Sequence, residues 1–154
     1  MSDQDKKALE DIEKFGCHIL SIFEDEHGSS FSYSIGIQKT KNQPELIIQG
    51  LKQELSHQII NDYNNRLKNG EVFIPGEYYG DFLEGFDVCF LEVDEKYYDD
   101  YFGWAKWLYK GKKFKVLQLV WPTTQGLWPW DEHGSEYYAW AQPLLGKDNA
   151  ASEI

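Results

Sequence analysis

The chain has 154 residues, and its 15 basic and 26 acidic side chains give a formal net charge of −11 at pH 7. This length suits one domain with a sizeable core, and the hydrophobic fraction of 42% excludes a chain that is disordered throughout. No apolar run approaches the ~18 residues of a membrane span, and the acidic start is unlike a targeting peptide. The two cysteines, Cys17 and Cys89, do not make a disulfide framework, so we predict a cytoplasmic location.

The negative charge bears on the partners of the protein. A surface with an excess of carboxylates repels phosphate backbones and anionic membranes, so we expect neither nucleic-acid nor membrane binding. The same surface attracts a basic protein. Many cytoplasmic proteins are acidic only because charge keeps them soluble, so the net charge does not decide between these two roles.

The spacing of apolar residues predicts about three helices. The first covers residues 2–15, where Ser2 and Asp5 form a capping-box-like start. Residues 51–67 keep an apolar stripe at helical spacing and form the most regular of the three. Residues 94–109 follow the same spacing, although a glycine within them weakens the helix.

Strands are predicted between these helices by alternation or by short apolar runs. They cover residues 17–23, 31–37, 45–49, 85–93 and 113–121, whereas residues 71–83 are ambiguous because Pro75 and Gly76 interrupt them. Within residues 31–37, one face carries only Ser32, Ser34 and Gly36, so either a helix of the same chain or a ligand lies against this strip.

The order of these elements predicts an α+β fold. Helices alternate irregularly with hairpins, and no glycine-rich turn opens a strand–helix–strand unit. We therefore expect one domain over residues 1–145, with a largely antiparallel sheet packed with about three helices. Residues 146–154 are expected to form a flexible tail.

Recognised catalytic and metal-binding motifs do not occur. The sequence has no phosphate-binding loop, no nucleophile elbow, and no paired His or Cys spacing for zinc. Asp131, Glu132 and His133 could serve a divalent cation or acid/base chemistry, but three sequence neighbours seldom converge on one point. A solvated loop is the favoured interpretation, so we predict no catalytic residue, no metal and no cofactor.

Aromatic residues are concentrated towards the C-terminus. Fourteen of the 25 aromatic side chains lie between Tyr97 and Trp140. Tyr and Trp combine a large contact area with a polar group, which suits protein recognition or binding of a sugar-like or heterocyclic ligand. The alternative is that these rings fill the core of a small domain.

Four stretches of the sequence resemble the bacterial family known as domain of unknown function 4262. They are residues 31–37 (FSYSIGI), 44–51 (PELIIQGL), 116–122 (VLQLVWP) and 126–131 (GLWPWD). The resemblance covers about residues 12–131, with Ser34 where the family more often has Thr and Thr123 where Asp is common. It implies a compact cytoplasmic protein and brings no activity, cofactor or catalytic residue.

Two functional hypotheses follow. The first is a non-enzymatic acidic protein that binds a basic partner, such as an immunity protein that neutralises a nuclease-like toxin. Carboxylates would form the rim of its binding surface and tryptophans the centre. The candidate partner-binding residues are Glu24, Asp25, Glu26, Asp99, Asp100, Trp128, Trp130 and Asp131.

The second hypothesis is a small-molecule-binding protein or a hydrolase-like enzyme. Its pocket would lie between the Ser32-Ser34-Gly36 strip and the loop over residues 121–133. Acid/base roles would fall to Glu45, Asp131 and His133. The sequence favours binding over catalysis and leaves the oligomeric state open.

Overall fold

A six-stranded sheet organises the protein, whose computed structural model describes residues 1–131 and 136–146. In chain order the strands are β1 (His18–Ile22), β2 (Phe31–Ile35), β3 (Glu45–Gln49), β4 (Tyr78–Leu83), β5 (Phe86–Glu92) and β6 (Val116–Val120). They lie in the order β1-β2-β3-β6-β5-β4, and every neighbouring pair is antiparallel except β3 and β6, which run parallel. The predicted α+β fold with a largely antiparallel sheet is confirmed.

The described residues form six α-helices, so the prediction of about three was too low. They are α1 (Asp3–Phe15), α2 (Ile37–Lys41), α3 (Gln53–Lys68), α4 (Tyr98–Tyr101), α5 (Gly103–Tyr109) and α6 (Glu136–Ala141), with a short 3-10 helix at Glu95–Tyr97. One extra helix, α2, begins where strand β2 stops, because Gly36 turns the chain with φ of 100°. The predicted third helix is broken at Phe102, whose ψ of 44° is not helical.

The two long helices match their predictions closely. Helix α1 begins with a complete capping box, in which Ser2 Oγ accepts a hydrogen bond from the Asp5 backbone N–H at 3.1 Å. The Asp5 carboxylate accepts from the Ser2 N–H at 3.2 Å in return. Gly16, at φ of 91°, ends the helix and donates its N–H to the Ile12 carbonyl at 2.9 Å.

The two faces of the sheet carry separate apolar clusters because successive strand residues point to opposite sides. On one face, which we call the α3 face, α3 packs over Leu46 and Ile48. On the other, which we call the α5 face, α1, α4 and α5 pack over Ile47. Every residue of β3 and β6 is buried, so these two strands form the middle of the core.

The segment over residues 71–83, which the sequence left ambiguous, ends in the edge strand β4. The register between β4 and β5 shifts between Tyr79 and Leu83, and Asp81 within it has φ of 71°. At the other end of the chain, Gly146 forms an isolated bridge with Val93, and the rest of the predicted tail lies outside the described residues. Within the described residues, no helix has the length and apolarity to cross a membrane.

Candidate functional site

A cleft of about 690 Å³ opens on the α5 face, between the β1–β2 turn, the segment over residues 97–101 and helix α6. This volume lies within the range of about 300–1,000 Å³ that is typical of ligand pockets. Five aromatic side chains form much of its wall: Phe23, Phe31, Tyr97, Tyr101 and Trp140. Asp25, Asp100 and Gln49 also line it, and we call the whole feature the aromatic cleft.

The β1–β2 turn holds Asp25 in place at this cleft. The backbone groups of Asp25 and Gly28 exchange hydrogen bonds of 3.1 and 3.3 Å, and Asp25 Oδ1 accepts from the His27 N–H at 2.8 Å. The turn is tied to the opposite wall because Ser29 Oγ donates to the Ala141 carbonyl at 2.8 Å. The segment that carries Asp25 is therefore fastened to the one that carries Trp140.

The rings of the cleft comprise a half-buried, packed group and an exposed group. Phe31 and Tyr101 meet edge to face with centroids 5.1 Å apart, and Tyr97 lies 6.3 Å from Tyr101. By contrast, Phe23 is 70% exposed and Trp140 is 43% exposed. The packed rings fix the shape of the cleft, while the exposed ones leave apolar surface available for a ligand.

Gln49 contributes a polar group to the interior of the cleft. The residue is 1% exposed, and within the described residues its Nε2 has no hydrogen-bond partner. Burial raises the pKa of the neighbouring Tyr101, and the Gln49 amide partly offsets this rise. The Gln49 amide and the Tyr101 hydroxyl nevertheless do not meet the geometry of a full hydrogen bond. A buried, unpaired amide in a cleft is a feature that a ligand can satisfy.

The structure brings together only two of the predicted partner-binding carboxylates. Asp25 and Asp100 line the same cleft although they are far apart in sequence. Asp99, next to Asp100, instead contacts Lys106 Nζ at 2.5 Å and Lys112 Nζ at 2.9 Å. This pair of cations lowers the pKa of Asp99. Asp99 is thus neutralised locally, whereas Asp100 has no ion-pair partner within the described residues.

The other predicted partner-binding carboxylates do not line the cleft: two lie on the β1–β2 turn, and Asp131 lies in the loop after β6. Glu24 and Glu26 are exposed beside Asp25 and do not line the cleft. Asp131 Oδ2 accepts a 2.7 Å hydrogen bond from the Trp128 N–H and so stabilises its own loop. Residues 132–135, which include His133, lie outside the described residues.

The predicted central tryptophans form a second aromatic feature. Trp128 and Trp130 stack with centroids 5.4 Å apart and an interplanar angle of 2°. Both are half-buried and pack over Cys89, Leu91 and Val120. Neither lines the aromatic cleft. Their contribution to partner binding stays a prediction, and their packing over the core gives them a structural role as well.

The Ser32-Ser34-Gly36 strip is covered by the chain itself, which was the first of the two alternatives. Ser32 and Ser34 are 3% and 0% exposed, so the strip does not line a cleft open to solvent. Over Gly36, an added Cβ would lie 2.6 Å from the Ile12 side chain of α1. The pocket expected between this strip and the loop over residues 121–133 therefore has no open wall on the strip side.

Glu45 has a structural environment rather than a catalytic one. Its buried carboxylate accepts hydrogen bonds from Ser34 Oγ at 2.8 Å, from three backbone N–H groups at 3.0–3.2 Å, and from the Tyr109 hydroxyl. Burial raises the pKa of Glu45, and these donors oppose the rise. Glu45 lies at the start of β3, whereas Asp131 follows the far end of the parallel strand β6. The two are not gathered for shared acid/base work.

A serine–histidine contact that the sequence did not reveal lies on the α3 face. Ser21 Oγ is 2.8 Å from His57 Nε2 and 3.0 Å from Ser32 Oγ. Burial lowers the pKa of His57, and the nearby His18 lowers it further. A nucleophile needs a cleft for its substrate, and neither Ser21 nor His57 lines the aromatic cleft. The network therefore joins α3 to β1 and β2.

A second cleft, of about 530 Å³, lies near the start of β6 and has mixed charge. Two of its three lysines are engaged locally, since Lys115 lies 3.6 Å from Glu92 and Lys112 contacts Asp99. Within residues 1–131 and 136–146, no group of three or more His, Cys, Asp or Glu side chains is arranged to hold a metal.

Sequence analysis did not predict that Gln49, Tyr97 and Tyr101 line one cleft. Gln49 ends the apolar strand predicted over residues 45–49. A polar side chain in such a buried strand needs a partner, and this was the signal that could have pointed to the cleft. The helical spacing over residues 94–109 predicts Tyr97 and Tyr101 on one side of a helix, but their packing with Phe31 depends on how that segment lies on the sheet.

The protein therefore has an α+β fold with one mixed sheet, and its cleft is acidic and lined by aromatic rings. The sequence profile of the DUF4262 family, a domain of unknown function, matches residues 11–135, and the chain belongs to this family. No curated protein and no solved structure matches the chain.

Proposed function

We propose that this protein is a non-enzymatic binding protein whose partner is a basic protein. The observation that carries the proposal is the aromatic cleft, which Asp25 and Asp100 line together with exposed rings. Neither carboxylate forms an ion pair with a described residue, although Lys96 Nζ lies 5.3 Å from the centroid of the Tyr97 ring. Aromatic residues beside carboxylates provide both parts of a recognition surface, a desolvated anchor and a charged rim.

The net charge of −11 supports the same partner class. An acidic surface raises the encounter rate with a cationic protein and disfavours anionic competitors. Glu24 and Glu26 flank Asp25 on the exposed turn and add to the negative potential at the mouth of the cleft. An immunity protein for a nuclease-like toxin fits this pattern, because a nuclease presents a basic surface to its substrate.

The test is affinity capture from the source organism with three forms of the full chain. They are the wild type, the cleft variant Asp25→Lys/Asp100→Lys, and the control Asp62→Lys/Glu84→Lys. The control makes the same charge change at exposed residues outside the cleft, on α3 and on the β4–β5 turn. We expect a basic protein to be retained by the wild type and the control and lost from the cleft variant.

Two results of the capture experiment would contradict the proposal. Capture of the same proteins by all three forms, or capture of acidic proteins only, contradicts recognition of a basic partner through this cleft. For the immunity role, expression of the captured partner alone should arrest growth, and co-expression of this protein should restore it. A captured partner without toxicity would leave the binding role and remove the immunity role.

A small cationic molecule is a second candidate ligand, favoured by the cleft volume. A cleft of about 690 Å³ accommodates a drug-sized molecule. Native mass spectrometry of the purified full chain would show a retained small molecule as a mass increment that disappears in Asp25→Lys/Asp100→Lys. A measured mass equal to the calculated polypeptide mass for both proteins would remove this candidate.

A further inference from the structure

We propose that the aromatic cleft receives an arginine side chain of the basic partner, an inference that rests on the proposed function and names the group recognised. The guanidinium would lie against the rings of Phe31 and Tyr101 and donate hydrogen bonds to the carboxylates of Asp25 and Asp100 and to Gln49 Oε1.

The carboxylates of the cleft are suited to a ligand that donates hydrogen bonds. The carboxylate oxygens of Asp25 and Asp100 are hydrogen-bond acceptors. The amide of Gln49 adds an acceptor, Oε1, next to its unpaired Nε2. Nε2 is itself a donor and cannot bond to a guanidinium, so its acceptor is the neighbouring Tyr101 hydroxyl, whose pKa the Gln49 amide already lowers. A guanidinium carries five N–H donors and no acceptor, which matches this set.

The walls favour arginine over lysine. A planar, weakly hydrated guanidinium stacks on aromatic faces and can bond to two carboxylates at once. An ammonium is compact and strongly hydrated, so it gains less from several rings and two separated acceptors. The edge-to-face pair of Phe31 and Tyr101, together with the half-exposed Trp140, provides several ring surfaces within one cleft.

The anchoring of the cleft supports recognition of one inserted side chain. The Ser29–Ala141 hydrogen bond fastens the turn to the C-terminal wall, and the Gly50 backbone lies against Ala141 so closely that an added Cβ would be 2.5 Å from the Ala141 oxygen. Walls held in this way lose little conformational entropy on binding.

The experiment uses three blocked pentapeptides, acetyl-Gly-Ser-Xaa-Ser-Gly-amide, in which Xaa is arginine, citrulline or lysine. Citrulline keeps the shape of arginine and lacks its charge. Each peptide is titrated into the full chain at low salt, and amide and indole chemical shifts are followed by NMR. We expect the arginine peptide to shift Phe31, Gln49, Tyr101 and Trp140, the lysine peptide to bind several-fold more weakly, and citrulline not to bind.

Two variants and one control separate the cleft from general acidity. Asp100→Asn, at an exposed position, should weaken the arginine peptide at least about fivefold, and Gln49→Leu should do the same if its NMR spectrum shows a folded protein. Asp62→Asn removes the same charge on the α3 face and should leave the affinity unchanged. Because Asp100 is on the surface, its variant keeps the test valid even if Gln49→Leu does not fold.

The contrary outcomes are distinct from those of the proposed function. Shifts confined to Trp128 and Trp130, equal binding of citrulline, or equal loss in Asp62→Asn and Asp100→Asn would overturn arginine recognition. If the peptides behave as expected but no basic protein is lost from the cleft variant in the capture experiment, the arginine site stands and the basic-protein role fails. If instead the cleft variant loses a basic protein in the capture experiment but the arginine peptide does not bind, the basic-protein role stands and the arginine site is overturned.

Discussion

At the scale of single residues, Gly50 shows how one position sets the geometry of the candidate site. It follows β3 with φ of 78°, and an added Cβ would lie 2.5 Å from the Ala141 oxygen. We expect Gly50→Ala to lower the free energy of unfolding by about 3 kcal/mol, because left-handed backbone strain and a backbone clash act together. Urea denaturation measures this loss.

Gly70→Ala is the matched control for that substitution. Gly70 also has positive φ, 96°, but its added Cβ would meet no atom within 4 Å. Its loss should be only about 1–2 kcal/mol, the cost of the left-handed conformation alone. Equal losses in the two variants would show that the approach to Ala141 is not what requires glycine at residue 50.

The two cysteines are predicted to be unreactive in the folded protein. Burial raises the pKa of Cys17 to about 12, and it raises the pKa of Cys89 to about 11. At pH 8 both are therefore thiols, and both are shielded from reagent. We expect no reaction with a thiol reagent over minutes in the native state and two equivalents in strong denaturant. Rapid native labelling would contradict the described core.

At the scale of elements, the Trp128–Trp130 stack acts as a cover for Cys89. Both rings pack on Cys89, Leu91 and Val120, while Cys17 belongs to the other core cluster under α3. We expect Trp128→Ala to speed native labelling of Cys89 at least about tenfold and to leave Cys17 unchanged, with mass spectrometry locating the label. Equal acceleration at both cysteines would indicate global destabilisation instead.

Glu45 connects three elements of the fold. It lies at the start of β3, accepts from the backbone at the start of α2, and accepts from Tyr109 at the end of α5. We expect Glu45→Gln to cost about 2 kcal/mol of unfolding free energy, because its amide turns a donor towards groups that are themselves donors. Thermal and urea denaturation would measure the loss.

The comparison for that substitution is Tyr109→Phe, which removes one of the donors and should cost about 1 kcal/mol. An unchanged stability for Glu45→Gln would mean that the carboxylate does not hold these elements. This residue was a candidate acid or base in the sequence, and only its surrounding donors reveal the structural role.

At the scale of the whole molecule, the distribution of charge decides whether the net value of −11 matters for recognition. With the captured basic partner, we expect the association rate of the wild type to fall more than about tenfold from low to high salt. Asp25→Lys/Asp100→Lys should slow association at low salt, whereas Asp62→Lys/Glu84→Lys should do so only weakly. Stopped-flow fluorescence of the tryptophans can follow the binding. A rate that is indifferent to salt would exclude electrostatic steering.

Local patterns predicted the long elements well. The capping box and the apolar stripe of α1 are properties of neighbouring residues, and the alternation in β2 is of the same kind, so each could be read before folding. The break at Phe102 and the turn at Gly36 were missed, because contacts with the sheet and with α1 determine where those segments change direction.

The amino-acid sequence was enough to establish the acidic balance, the α+β class, the principal helices and strands, and the resemblance to the DUF4262 family. These follow from composition and from periodicities of a few residues. It could not determine that Asp25, Gln49 and Asp100 share one cleft, nor that Asp99 is paired with lysines instead. The three cleft residues are far apart along the chain, and only the packing of the sheet, the β1–β2 turn and the C-terminal segment places them at one cleft.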